Sequence, residues 1–273
     1  MSGIGINQIK TNPVKDKLLK GEPAVGSWIS LCSPVSAEMM ARIGWDWLVV
    51  DVQHSHVGFD TMVNCFRAIQ LGGAAPMARV PWNDKIWIQR TLDAGAMGLV
   101  IPMVNSVEEA KEAVASTRYS IKGIRSFGGS RLAGYLDSNY LTWTEKNLLI
   151  MVMIETVQAV GNAEAILSVD GVVGCFIGPA DLALSMEARE TGPGTEHEAA
   201  IMEVLRAAKQ VGKAAGKHCG SAAEVSMRIG QGFQFLALSS DAGFLGKAAR
   251  EEFGAIDFTG GGEGSGQAEE RIY

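Results

Sequence analysis

Short apolar runs recur along the chain at 24–30 (AVGSWIS), 46–51 (DWLVVD), 75–79 (APMAR), 98–103 (GLVIPM), 148–155 (LLIMVMIE), 172–177 (VVGCFI), 214–219 and 233–238 (FQFLAL). They are too continuously apolar for half-exposed strands, so the pattern predicts eight strands buried on both faces. Between them, 34–43, 59–71, 84–94, 106–118, 157–168, 197–212, 221–230 and 241–253 carry the amphipathic spacing of helices. Eight strand–helix units in about 250 residues predict a (β/α)8 barrel. A doubly wound sheet is the competing arrangement, but it wants a G-x-G-x-x-G turn after the first strand. There the chain reads Leu31-Cys32-Ser33-Pro34, without glycine. The longest insertion, 119–147, carries Arg125, Arg131 and three tyrosines, and is expected to cover the barrel mouth or a neighbouring subunit. Residues 1–253 are expected to form one domain, and 254–273, with GGGEGSGQAEER, a flexible tail.

Composition narrows the partners. Thirty Asp and Glu against 24 Lys and Arg leave a formal charge of −6, which excludes a basic face for nucleic acid. No apolar run reaches the ~18 residues of a membrane span, and the N-terminus lacks a signal-peptide core, so a cytoplasmic protein is expected. Cys32, Cys65, Cys175 and Cys219 form no C-x-x-C pair and read as reduced, mostly buried thiols.

Barrel active sites lie at the C-terminal ends of the strands, so polar residues closing an apolar run are candidates. The second run ends in Asp51-Val52-Gln53-His54-Ser55-His56, the third in Arg79, the fifth in Glu155 and the sixth in Gly178-Pro179-Ala180-Asp181. Glu155 and Asp181 place two carboxylates side by side, which calls for a cation or a shared proton. Mg²⁺ or Mn²⁺ suits such oxygen donors, with Co²⁺ or Zn²⁺ as further candidates, although zinc would ask for more His or Cys. Each carboxylate could instead cap a helix or meet an arginine. His54 suits acid–base work near neutral pH, and His56, two residues on, cannot share its direction in an extended segment. An arginine on an apolar strand implies a waiting anion, and the backbone N–H groups after Gly178-Pro179 offer a second anion cradle. Together these groups suit a small 2-oxo acid.

With those residues in order, the chain over about 20–253 resembles the HpcH/HpaI family of class II pyruvate aldolases. The resemblance is carried by DWLVVDVQH with His54, the Arg79 segment RVPWND, LDAGAMGLVIPMV with Asp93, GIRSFG from Gly123, MIET with Glu155 and FIGPADL with Asp181. It implies a barrel with an N-terminal helix and a swapped or extended C-terminal helix, assembled as a hexamer. It also implies His54 as general base, Arg79 as stabiliser of the enolate, Glu155 and Asp181 as metal ligands, and Ala180 contacting substrate through its backbone. Asp93 would raise the basicity of the histidine, with Asp51 beside it. Gln53 and Met153 stand where many members have Glu and Gln, and His56 is unusual. Asp93 follows helix 84–92 and should lie low on its own barrel, so its route to a histidine would run through a neighbouring protomer.

The implied reaction is reversible cleavage of a 4-hydroxy-2-oxo acid to pyruvate and an aldehyde. The ion would polarise the C2 carbonyl, Arg79 face the developing negative charge, and His54 take the C4 hydroxyl proton. Alternatives are a citrate-lyase or malyl-CoA-like lyase, a phosphosugar isomerase on the same barrel, and a catalytically silent barrel acting as a binding module. The isomerase would need a phosphate grip after the last two strands, at His218-Cys219-Gly220-Ser221 and Ser239-Ser240-Asp241.

Overall fold

A computed structural model describes residues 9–136 and 139–256. Eight parallel strands close on themselves in sequence order, β1 (Ala24–Ile29), β2 (Trp47–Asp51), β3 (Ala75–Arg79), β4 (Gly98–Ile101), β5 (Leu149–Ile154), β6 (Gly174–Ile177), β7 (Ala214–Cys219) and β8 (Phe235–Ser240). Around them run α1 (Pro13–Leu19), α2 (Pro34–Ala41), α3 (Phe59–Gly72), α4 (Lys85–Ala94), α5 (Val107–Thr117) and α6 (Tyr140–Asn147). They continue as α7 (Val157–Gly161), α8 (Ala163–Leu167), α9 (Pro179–Ser185), α10 (Glu196–Gln210), α11 (Ala222–Gln231) and α12 (Asp241–Gly254). The barrel is the expected one, with the N-terminal helix present as α1. Residues 257–273 of the expected tail lie outside the described residues. Among the described residues no helix is long and apolar enough to cross a membrane, and the four cysteines are free.

Local chemistry sets the helix limits. Asn12 caps α1 and ties it to the base of the barrel, its Nδ2 donating to the Met97 carbonyl at 2.9 Å. Ser106 and Glu109 form a reciprocal capping box on α5. The helix expected over 157–168 is two short ones, because Asn162 leaves helical geometry and donates through Nδ2 to the Asn105 carbonyl.

An aromatic column fills the interior from base to mouth. Trp47 stacks on Phe235 at 4.1 Å, Phe235 meets Phe176 edge-on at 6.0 Å, and Phe176 meets Trp28 edge-on at 5.5 Å. Asp241 closes the seam between β8 and β1, accepting from the Ser30 N–H at 2.8 Å and the Ser36 hydroxyl at 2.7 Å. The column exists because β1 has no side chain at Gly26, where a Cβ would lie 2.2 Å from the Trp47 ring.

The insertion 119–147 does not cover the mouth of its own barrel. It follows α5 and precedes β5, so it belongs to the base, where Arg131 donates through Nε to the Ala94 carbonyl and through Nη2 to Gln70 Oε1.

Gly26→Ala should overpack this floor and cost about 2 kcal/mol or more. Denaturant unfolding checks it, and a loss below about 0.5 kcal/mol, the usual surface value, would mean that the column yields freely.

Candidate active site

Three strand ends bring charged side chains to the mouth. Asp51, 5% exposed, closes β2, and Arg79 closes β3 beside it in register. Their side chains form a two-pronged fork, with Arg79 Nε donating to Oδ1 at 2.9 Å and Nη2 to Oδ2 at 2.6 Å. The guanidinium lies over the Trp28 ring, 4.5 Å from its centre, at the top of the aromatic column. Asp51 Oδ1 also accepts the main-chain N–H groups of Gln53 (3.1 Å) and His54 (3.2 Å). Asp51 therefore acts on His54 through the backbone of the loop and on Arg79 through the side chain. His54 and His56 are both exposed in that loop.

Glu155 follows β5 and is 2% exposed. Its Oε1 accepts the Met103 N–H at 2.7 Å, and Met103 reaches that position with a left-handed φ of 56°. Burial pushes the Glu155 carboxyl up to about 7, with the nearby Asp181 carboxylate adding to the rise and the Met103 N–H and Arg79 opposing it. Asp181 is exposed in the first turn of α9. Gly178, the N-cap of that helix, leaves Glu155 its room, since a Cβ there would lie 2.5 Å from Oε2 and 3.1 Å from the Met153 methyl. Pro179 follows as the first helical residue and Ala180 is exposed beside Asp181.

This geometry fits a divalent cation. A buried carboxyl raised by burial and by a second carboxylate is one that a cation would discharge, and Gly178 keeps the space beside Oε2 open. The donors are oxygens only, which suits a hard ion completing its shell with water and substrate. Among the described residues no group of three or more His, Cys, Asp or Glu side chains converges, so the protein offers Glu155 and Asp181.

Asp93 is not part of this constellation. It lies in the last turn of α4, which runs back to the base, and its Oδ1 accepts from Arg125 Nη2 at 2.7 Å. Arg125 is itself buried there and also donates to the Tyr140 hydroxyl at 2.8 Å, so neither Arg125 nor Arg131 reaches the mouth of its own barrel. The phosphate grip also finds its donors engaged: Gly220 N–H goes to Glu224 at 2.9 Å, and Asp241 accepts the Ala242 N–H at 2.9 Å.

Two residues at the mouth escaped the sequence, and a third, His218, was named there only as part of the phosphate grip. Trp28 was marked only by its alternation with Gly26, and Met103 only by closing the fourth run. His218, on β7, is pushed down to about 4 by burial, with the Lys217 and Arg79 cations adding, and stays neutral.

Protonated Glu155 favours the metal-free fold. Because its folded value lies above the ordinary 4.5, that contribution is fully present below about 4.5 and lost as pH rises through 7, on the order of 3 kcal/mol. Glu155→Gln should therefore raise the Tm of chelator-treated protein at pH 8 and much less at pH 5. Equal shifts at both pH values would contradict the placement of this carboxyl.

The model of the HpcH/HpaI aldolase/citrate lyase family matches residues 24–248. A hydroxypyruvate/pyruvate aldolase of Rhizorhabdus wittichii is 38% identical over 242 residues, spanning 88% of this chain and 96% of its own. A 4-hydroxy-2-oxo-heptane-1,7-dioate aldolase of Klebsiella pneumoniae is 38% identical across 87% of this chain and 91% of its own. A solved HpcH/HpaI aldolase/citrate lyase family protein from Burkholderia cenocepacia superposes with a TM-score of 0.84 at 32% identity, covering 89% of this chain and 98% of that one. The chain belongs to the HpcH/HpaI aldolase/citrate lyase family.

Proposed function

We propose that the chain is a divalent-metal-dependent aldolase that reversibly cleaves 4-hydroxy-2-oxo acids to pyruvate and an aldehyde. Family membership and the aldolases among its relatives make it a carbon–carbon lyase that releases pyruvate. The supporting observation is that a raised, buried Glu155 beside Asp181 shares one barrel mouth with an arginine fixed by Asp51. Glu155 and Asp181 would hold the ion, Mg²⁺ or Mn²⁺ by their oxygen donors, and its chemistry when bound is to polarise the C2 carbonyl.

Arg79 spends Nε and Nη2 on Asp51 and keeps Nη1 for the oxygen on which negative charge develops. His54 takes the C4 hydroxyl proton as the C3–C4 bond breaks and the aldehyde leaves, and the enolate is then protonated to pyruvate. The backbone at Gly178, Pro179 and Ala180, entering α9, faces the substrate carboxylate. Trp28 and Phe176 form an apolar floor that excludes water beneath the reacting carbons.

Chelation with EDTA should abolish pyruvate release from 4-hydroxy-2-oxo-heptanedioate, and Mg²⁺ or Mn²⁺ should restore it. In the same assay His54→Ala should lose about 10²-fold or more while His56→Ala loses little. Turnover that survives exhaustive chelation would remove the metal from the mechanism, and equal losses at the two histidines would remove His54 as sole base.

A homo-oligomer, a hexamer by the family resemblance, fits the surface. Val35, Met39 and Ile43 form one stripe on α2 and its C-terminal edge, 67%, 69% and 66% exposed, and Leu245 on α12 is 61% exposed. In such an assembly Asp93 would have to reach the His54 of a neighbouring copy. Light scattering should give several times the chain mass of 29.0 kDa, and a monomer would leave Asp93 with no catalytic role.

A further inference from the structure

His197 lies in the first turn of α10, 4% exposed, with Nε2 2.8 Å from the Pro179 carbonyl oxygen. A carbonyl oxygen only accepts, so Nε2 carries the proton in this contact. In the neutral ring Nδ1 is then an acceptor, and it is buried without a hydrogen-bond partner among the described residues. An unpaired buried acceptor is costly. A leucine here would avoid that cost on a helix face that already buries Ile201, Val204 and Leu205. The imidazole is explained by its other nitrogen.

The residue that Nε2 holds begins α9, and α9 needs an outside support. It has seven residues, its N-cap Gly178 makes no side-chain cap bond, and only Leu182 along it is buried. A helix that short does not sustain itself. Asp181 sits two residues beyond Pro179, exposed, in this first turn. Helix α10 is the opposite case. It runs fifteen residues, is capped by Thr195, and is locked to α11 by Arg228, whose Nη2 donates to Glu198 at 2.8 Å.

We propose that His197 is a positioning residue for the divalent cation. Its Nε2–H···O=C bond to Pro179 transmits the fixed position of α10 to the turn that presents Asp181 opposite Glu155. The proposal rests on the metal-dependent reading above and assigns a role to a side chain that touches neither ion nor substrate.

Mn²⁺ binding followed by electron paramagnetic resonance, without substrate, tests it on wild type, His197→Leu, His197→Gln and His197→Asn. His197→Leu should bind Mn²⁺ at least tenfold more weakly. His197→Gln restores an N–H donor of similar reach and should return to within threefold of wild type, whereas the shorter His197→Asn should not. In kinetics the Leu variant should need correspondingly more Mn²⁺ for half-maximal activity yet recover most of kcat when saturated, a split that general destabilisation would not give. Mn²⁺ affinity within twofold of wild type in folded His197→Leu, or a loss that His197→Gln does not repair, overturns the proposal. If the Leu variant fails to fold, the Gln and Asn pair decides: equal affinities overturn it. Absence of Mn²⁺ binding by wild type would defeat the metal-dependent reading itself, and the proposal with it.

Discussion

The fork between Asp51 and Arg79 is the interaction on which the mouth of this barrel depends. Both side chains are largely buried, 8% and 13% exposed, so each charge has lost much of its water and relies on the other. Removing either partner would strand a charge above Trp28, at a cost of roughly 3–5 kcal/mol. The fork also fixes direction: with Nε and Nη2 committed, the guanidinium has one orientation, and Nη1 is the edge that Asp51 leaves uncovered. Lysine, a point charge on a flexible stem, could not be held this way. The same carboxylate accepts the N–H groups of Gln53 and His54, so one buried side chain sets both the Arg79 guanidinium and the loop that carries His54.

Electrostatics across the mouth follow from that constraint. Arg79 is already neutralised by Asp51, so it lowers Glu155 only weakly, and burial together with Asp181 prevails. The result is a carboxyl poised near neutrality rather than one locked in an ion pair. On the far wall, His218 is kept neutral by burial and by the Lys217 and Arg79 cations, so it adds no positive charge to compete for Glu155. A site that still needs positive charge is the outcome, the charge that the proposed divalent cation would supply.

Much of this was legible in the sequence, for a physical reason. Strands buried on both faces read as nearly continuous apolar runs, so 75–79 coincides with β3, and the polar residue ending a run marks the mouth. Asp51, Arg79 and Glu155 were found that way. Of the two places expected for the insertion 119–147, the mouth of its own barrel was the wrong one, because length alone does not say which end of a barrel a segment covers. Its position after a helix and before a strand does, and that order also sends Asp93 to the base. Trp28 under Arg79, the turned N–H of Met103 and the His197 contact depend on packing between distant elements, and no local pattern encodes them.

The two ends of the barrel handle backbone strain differently. At the base, turns into strands use glycine where φ is positive, as at Gly95 and Gly232, where the left-handed region carries no side-chain penalty. Among the described residues the non-glycine residues with positive φ are Cys32, Met103, Glu187 and Ser239, and all four lie at the mouth, in or at the entry to segments that leave a strand. Each costs on the order of 1–3 kcal/mol and persists only where its surroundings hold it. At Met103 the return is visible, because the turned peptide gives Glu155 a backbone donor and so limits how far burial raises that carboxyl. At the base, by contrast, Lys15 donates to the Lys146 and Leu148 carbonyls and Lys213 to that of Val172, so charges there serve the chain's own backbone. Among the described residues, positive-φ strain at positions that carry a side chain is thus confined to the end of the barrel where Asp51, Arg79 and Glu155 meet.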